Sequence, residues 1–367
     1  MKVTIPTKLL LEGAAHAAAV AANKSPKPIL ECVAIRADPT TGVSLEATDL
    51  DVGLRFHIQD ARVDEGGGIV VPAARLLSIC REVDEGETTL SDAEGGLTVD
   101  TGRSHFYVRG EPIDEFPQLP LLAGGRSLSV PATLMQNMIR RTAFATAKEA
   151  GRFALHGVQF RAKGKDIEMV ATDGRRLARS VGLLEKKPDA DVQAIIGPRG
   201  LNLLERILGG DVTEVEVAIQ DRQALFRAGS ALVISRLIDG SFPSLDGVIP
   251  AKSDHAFTST AGDFASGLRR ASLLTTRDAM SVELHIEPES LVIRSRAREV
   301  GKAKVEVPVD YDGVPQTVGF NPHYLQEALK VMEPGCTVKF EFTNAKSPGK
   351  LSDCDEYTYV VMPIALE

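Results

Sequence analysis

The Phe-Pro pair Phe116-Pro117 comes back as Phe242-Pro243, 126 residues later. Pro72, Pro198 and Pro322 each stand before a helical pattern, at intervals of 126 and 124. Each of those patterns runs out at a glycine, Gly86, Gly210 and Gly335, 124 and 125 apart. The N-terminal TIPTKLLLEG is echoed by SVPATLMQNM and, more faintly, by TSTAGDFASG. Agreement at one period marks an internal repeat. Such a repeat constrains the fold more than any local motif, because every copy must be the same kind of folding unit. Three copies of about 124 residues nearly fill the 367-residue chain. The boundaries fall in LLAGGRS (121–127) and near PAKSDH (250–255), which gives domains at 1–125, 126–250 and 251–367.

Each copy reads in the same order. A short strand leads into a helix, at 7–22, 131–147 or 261–276, with stripes such as Leu134 and Met138, or Phe264, Leu268 and Ala271. Strand patterns follow, as in GVQFRAKGKDIEMVATD, where Lys163-Gly164-Lys165 makes a turn. A second helix starts just after the proline, whose missing N–H costs nothing there. Its stripe is clearest in Leu325, Ala328, Leu329 and Met332. Alternating strands such as TEVEVAIQDRQALFRAG close the copy. Two helices on one face of an antiparallel sheet make an α+β unit. With aromatics at 5% and no Trp, the core is expected to be aliphatic.

The stretch ATDGRRLAR (171–179) looks like chemistry, an aspartate beside a phosphate clamp. Yet Ala47-Thr48-Asp49 repeats Ala171-Thr172-Asp173, and the third copy has RSRAREVGK (294–302) there without the aspartate. A catalytic Asp would not be needed twice and then dropped. A strand-end Asp-Gly turn explains it better. An aspartyl-phosphate site also wants a second acid two residues earlier, and position 171 is alanine.

The net charge of −8, taken alone, argues against nucleic acid. Sorting the charge by element reverses that inference. The six helix windows (7–24, 73–83, 131–148, 199–208, 261–277 and 322–332) hold 13 basic and 5 acidic residues; the rest holds 29 and 45. Helices at +8 on a chain otherwise at −16 point to a basic helical surface that meets a polyanion through its phosphates. The acidic remainder keeps the protein soluble. Arg140, Arg269 and Arg270 lie off the apolar stripes and should face outward.

No phosphate-loop, dinucleotide, zinc-protease or nucleophile-elbow motif occurs, the seven histidines show no metal-ligand spacing, and nothing calls for a cofactor. Cys32, Cys80, Cys336 and Cys354 lie far apart, without CxxC spacing, which argues against a zinc site or a disulfide framework. The N-terminus lacks an apolar signal region and no apolar run reaches about 18 residues, so no membrane role and a cytoplasmic location are expected.

The order and spacing of KPIL (27–30), EATDLDVGLR (46–55), VPAARLLSICR (71–81), VATDGRRLA (170–178), DGSFPSLDGVIP (239–250), VGFNPHYL (318–325) and YVVMPI (359–364) are specific together. On them the whole chain resembles the bacterial DNA polymerase III beta subunit family, the beta sliding clamps. The resemblance implies an α+β fold of three repeated clamp domains, each with two helices on antiparallel sheet. Two chains would join head-to-tail in a ring, with helices lining a hole that passes double-stranded DNA. It implies a processivity factor for DNA replication that is no enzyme. Its partners would be a second copy, the polymerase alpha subunit, the clamp loader and other proteins bearing clamp-binding peptides of the glutamine-leucine-x-leucine-phenylalanine kind.

Matched residue by residue, the resemblance places a partner-peptide groove at Leu155, Thr172, Gly174, Arg175, Arg176, Leu177, Pro243, Val248, Tyr324, Val360, Met362, Pro363, Ile364 and Leu366. Arg175, Gly247, Lys346 and Pro348 depart from the family's usual residues there. Lys24, Arg152 and Phe153 match loop positions that approach DNA. Charge sorting adds Arg140, Arg141, Lys148, Arg199, Arg269, Arg270 and Arg277. Arg103, Phe106 and Val108 match a dimer surface that faces Leu273 and Leu274 of the other subunit. Glu299 is all that remains there of the family's acidic cluster.

Overall fold

The computed structural model describes residues 1–84, 86–122, 127–148, 153–188, 190–276 and 280–366. Arg152 and Arg277 lie outside the described residues, as does the side chain of Phe153. The chain divides into two compact units. The first comprises Met1–Gln136, Lys163–Lys165 and Leu184–Leu237, and the second Asn137–Ala162, Asp166–Leu183 and Ile238–Glu367.

The six α-helices of the described residues fall at the same two places in each copy. They are α1 (Thr7–Val20), α2 (Ala73–Glu82), α3 (Ala132–Thr142), α4 (Pro198–Ile207), α5 (Ala261–Ser272) and α6 (Pro322–Lys330). Proline opens α4 and α6 and precedes α2. Thr260 caps α5 by accepting from the Asp263 N–H at 3.0 Å, and Asn321 caps α6 by accepting from His323 N–H at 3.0 Å. The first helices end earlier than the sequence pattern, so Lys24 and Lys148 lie beyond them.

In the first unit, one sheet runs Arg62–Glu65, Lys2–Pro6, Glu87–Ala93, Gly96–Asp100, His105–Arg109. The other has nine strands in the order Glu111–Pro112, Gly67–Pro72, Cys32–Asp38, Gly42–Thr48, Val52–Ile58, Ala231–Arg236, Gln223–Ala228, Glu214–Gln220, Ser127–Pro131. The join between repeats is therefore a strand pair: Val52–Ile58 of copy one lies antiparallel to Ala231–Arg236 of copy two, with Gly53 opposite Ile234.

The second unit repeats that joint. Its strands run Val158–Lys163, Asp166–Thr172, Arg176–Leu183, Tyr357–Val361, Gly349–Cys354, Thr337–Phe342, His255–Thr260. Arg176–Leu183 of copy two pairs with Tyr357–Val361 of copy three, with Leu177 opposite Val360. One further hydrogen bond is also duplicated: Arg236 N–H to Asp51 O, and Met362 N–H to Arg175 O, both 2.8 Å. A separate four-stranded sheet runs Gly301–Pro308, Ser290–Ala297, Val282–Glu287, Gln316–Phe320.

Aliphatic side chains dominate the core of the first unit, where Phe56, Phe116 and Phe226 are also buried, but the third copy departs further from that expectation. Phe257, Phe264, Phe320, Phe340 and Phe342 are buried together, with edge-on pairs such as Phe257–Phe264 at 5.6 Å and Phe320–Phe340 at 5.5 Å. Five of the 13 phenylalanines gather there, where edge-to-face packing adds to burial. Gly349 leaves the room: a Cβ there would meet Phe340 Cζ at 2.5 Å.

Candidate functional site

The ATD stretches build the same turn twice. Thr172 Oγ1 donates to Arg176 O at 2.5 Å and accepts from Gly174 N–H at 3.1 Å, while Asp173 Oδ1 accepts from the N–H groups of Arg175 (2.9 Å) and Arg176 (3.0 Å). In copy one, Thr48 Oγ1 donates to Val52 O at 2.9 Å and accepts from Leu50 N–H at 3.0 Å. Asp49 Oδ1 accepts from Asp51 (3.1 Å) and Val52 (2.8 Å). The residue at the apex needs a left-handed backbone: Gly174 has φ +86°, and Leu50 takes φ 79°. The second Asp173 oxygen accepts from Arg176 Nε at 3.1 Å. The carboxylate is thus spent on holding a turn, not set out as a nucleophile.

Arg176 is the hub of this corner. Its side chain is 4% exposed. Besides Asp173 it reaches Glu327 of α6 and donates to Phe144 O at 3.0 Å. Its guanidinium lies 4.6 Å from the Tyr324 ring centre and 5.5 Å from that of Phe144. Tyr359 donates to Tyr324 O at 2.8 Å, and burial pushes its phenol well above the ordinary value. Arg176 therefore works from beneath the surface, as a positioning residue.

All fourteen groove residues expected from sequence fall within the second unit. Thr172, Arg176, Leu177 and Val360 are buried. Leu155, Pro243, Tyr324, Pro363 and Ile364 are half-buried, and Gly174, Arg175, Val248, Met362 and Leu366 are exposed. Leu177 and Val360 form an apolar cluster with Val170, bordered by Phe242, Leu245 and Ile249. The C-terminal segment is pinned at two backbone points, Met362 N–H to Arg175 O and Ile364 N–H to Gly319 O, each 2.8 Å. It rests on a glycine: a Cβ on Gly319 would meet Leu366 Cδ2 at 2.5 Å and Ile364 O at 2.8 Å. Sequence reasoning missed Gly319, Glu327, Phe144 and the Phe242–Leu245–Ile249 border; only the last had a signal, an apolar residue every three or four positions after the Phe-Pro.

The basic candidates divide. Lys24, Arg140, Lys148, Arg199, Arg269 and Arg270 are exposed. Arg140 leans on Asn137 Oδ1 at 3.1 Å, Lys148 lies 3.9 Å from Glu327, and Arg199 pairs with Asp49. Arg141 does not join them. It is 17% exposed, grips both oxygens of Asp353 at 3.1 and 2.7 Å, and lies 4.9 Å from the Tyr357 ring centre. A bidentate pair buried against copy three is the physical reason this arginine is removed from the outward set.

The candidate dimer residues lie on or beside strands that, among the described residues, end their sheets. His105–Arg109, carrying Phe106 and Val108 half-buried, ends one sheet, and Gly301–Pro308 ends another. Arg103 and Glu299 are exposed, Leu273 is 74% exposed, and Leu274 Cδ1 lies 3.7 Å from where a Gly301 Cβ would stand. Each edge is the counterpart of a strand that is paired at the two internal joints.

A thrice-repeated α+β unit, joined strand to strand and carrying charge-sorted helices, defines the architecture of a DNA clamp subunit. Profiles of the DNA polymerase III beta subunit match its N-terminal domain at residues 1–120, its central domain at 129–244 and its C-terminal domain at 246–365. The beta sliding clamp of Pseudomonas aeruginosa is 30% identical over 372 residues, covering all of both chains, and that of Bacillus subtilis is 28% identical over 99% of each. The crystal structure of the Bacillus subtilis DNA polymerase sliding clamp superposes over both full chains with a TM-score of 0.92 at 27% identity. A Pseudomonas aeruginosa clamp bound to griselimycin does so at 0.91 and 28%. The chain belongs to the DNA polymerase III beta subunit family, the beta sliding clamps, whose members are accessory subunits without catalysis of their own. Among the described residues no helix is long and apolar enough to cross a membrane.

Proposed function

We propose that two copies of this chain close head-to-tail into a ring that encircles duplex DNA and tethers the replicative polymerase in the cytoplasm, with clamp domains at 1–125, 126–250 and 251–367. The observation that carries this reading is the duplicated joint. Copy one joins copy two, and copy two joins copy three, through the same strands and the same extra backbone hydrogen bond. The third pair of edges, Gly301–Pro308 and His105–Arg109, is left for another copy. Their junction is heterologous, so it makes either a closed ring or a filament, and closure also removes the unpaired edges. Leu273, Leu274, Phe106 and Val108 supply the apolar part of that junction, with Arg103 and Glu299 at its rim.

The exposed cations Lys24, Arg140, Lys148, Arg199, Arg269 and Arg270 face the phosphates. Diffuse charge without base contacts suits a ring that must slide. Partner peptides of the polymerase alpha subunit, the clamp loader and other DNA-handling proteins dock on Val248, Met362, Pro363, Ile364 and Leu366 above the Leu177–Val360 floor, with Arg175 at the rim. Burying two leucine-sized side chains gains about 3–6 kcal/mol. Association costs offset much of it, which leaves roughly micromolar binding and lets partners exchange.

The test is retention on nicked circular DNA after loading by an ATP-driven clamp loader. Arg269→Glu with Arg270→Glu should shorten retention roughly tenfold at moderate salt while the dimer persists. Unchanged retention would remove these helices from the DNA path.

A further inference from the structure

The two internal joints share one register, and the strands left at the ends of their sheets carry the same landmarks. Gly53, Leu177 and Lys302 are each the second residue of the strand after the turn, in Val52–Ile58, Arg176–Leu183 and Gly301–Pro308. Ile234 stands three residues before Leu237, whose N–H closes its hairpin on Arg222 O at 2.8 Å. Tyr107 stands three residues before Gly110, whose N–H closes the matching hairpin on Gly95 O at 3.0 Å. Gly53 faces Ile234, and Leu177 faces Val360. Carried to the remaining pair of edges, that register sets Lys302 opposite Tyr107 of another copy and Lys304 opposite His105. The alternate pairs, Gly301 with Val108 and Ala303 with Phe106, then put small residues against half-buried apolar ones.

The exposed row differs in kind from its apolar counterparts. Within one hairpin Arg296 stands directly opposite Lys302, and Arg294 opposite Lys304. All four are exposed, and none has an ion pair among the described residues. Like charges directly opposite destabilise a strand pair, so this face wants an outside partner. Tyr107 offers one. It is 58% exposed, yet its hydroxyl donates to Glu94 O at 3.1 Å and its ring lies on Gly96, where a Cβ would stand 2.4 Å from Cζ. One side of the ring is thus fixed on backbone, and the exposed side can receive a cation. In the next row His105 lies 3.1 Å from Asp100, which brings a carboxylate to Lys304.

We propose that the junction between copies keeps the register of the internal joints and replaces their apolar row with a cation–aromatic one. Lys302 of one copy seats on the Tyr107 ring of the next, and Lys304 lies against the His105–Asp100 pair. The proposal rests on the ring reading. It names the contact by which one copy selects another: an edge that carries a cation at this position takes an edge that carries an aromatic ring.

The test uses the full chain with its exposed thiol removed, Cys354→Ser. Lys302→Cys with Tyr107→Cys should give covalent dimers on mild oxidation with diamide, because directly opposite residues fall within disulfide reach. Lys302→Cys with Arg109→Cys, two residues out of register, should not. Sedimentation reads the energetics. Each ring holds the contact twice, so Lys302→Met and Tyr107→Leu should each weaken the dimer roughly tenfold, and the double variant no more than either. Crosslinking of the 302–109 pair instead, or additive losses, would overturn the proposal and leave the ring. Dimers unaffected by Lys302→Met, with shortened retention on DNA, would assign the lysine to phosphates and overturn it as well. A wild-type chain that stays monomeric as it is concentrated would remove the ring itself, and this contact with it.

Discussion

Set side by side, the turns at Asp49 and Asp173 make the same four hydrogen bonds and spend their second carboxylate oxygen differently. Asp49 turns outward to Arg199, whose side chain is 62% exposed. Asp173 turns inward to Arg176, which is buried between two rings and continues to Glu327. The repeat preserved the turn because the turn sets up the joint. What surrounds it diverged: at one joint the arginine lies exposed on the surface, and the other carries a buried charge network. A shared local geometry therefore says how the copies are joined, and the arginine partner is where the two joints part.

The largest expected contrast is between the two arginines. Arg176→Met should cost about 3–5 kcal/mol in urea unfolding, because Asp173 and Glu327 lose a buried partner, whereas Arg199→Met should cost about 0–1 kcal/mol. Equal costs would show that burial does not distinguish the joints. Gly319→Ala should push Leu366 and Ile364 aside and weaken partner-peptide binding roughly tenfold, about 1.4 kcal/mol, with little change in folding. Titration with a labelled peptide reads this, and unaltered affinity would detach the tail from the groove.

At the turns themselves, Thr48→Val and Thr172→Val should each lose about 1–2 kcal/mol, since both hydroxyls give and accept a hydrogen bond in buried surroundings. A gap of more than about 1 kcal/mol between them would break the equivalence of the two turns. The apex residues should differ in sign. Gly174→Ala places a side chain at positive φ and costs about 1 kcal/mol, while Leu50→Gly relieves that conformation and gains about 0.5 kcal/mol. Thermal melts of the pair decide it.

The smallest effect belongs to α1, whose His16 ring lies 5.7 Å from that of Phe56 on the first joint's strand. Burial lowers the His16 imidazole below its ordinary value, and Glu12 only partly restores it. On acidification the unfolded chain takes up this proton before the folded one. The histidine's contribution to stability is therefore kept above the ordinary pKa of about 6.5 and lost as pH falls through it. His16→Gln should flatten the fall in urea midpoint between about pH 8 and pH 5.5; an identical fall would assign it to other groups.

The repeat, the six helix positions and the structural reading of Asp173 were all legible in the sequence, because proline, glycine and strand-end turns punctuate each copy locally. The fate of individual arginines was not. Arg140 and Arg141 are neighbours on α3, yet one is exposed and the other is clamped by Asp353, 212 residues away. Helical periodicity gives the side of the helix, but only the joint between copies brings Asp353 there. The same holds for Arg176 with Glu327, and for Leu119 over Gly53. The phenylalanine cluster of copy three was hidden for another reason: a low average says nothing about where the few aromatics gather.

The ring is the claim on which the rest depends, and negative-stain imaging of the purified protein tests it most directly. Closed six-lobed rings with an open centre are the predicted result, since the third pair of edges should be joined as the first two are. Three-lobed arcs that persist as the protein is concentrated would contradict it.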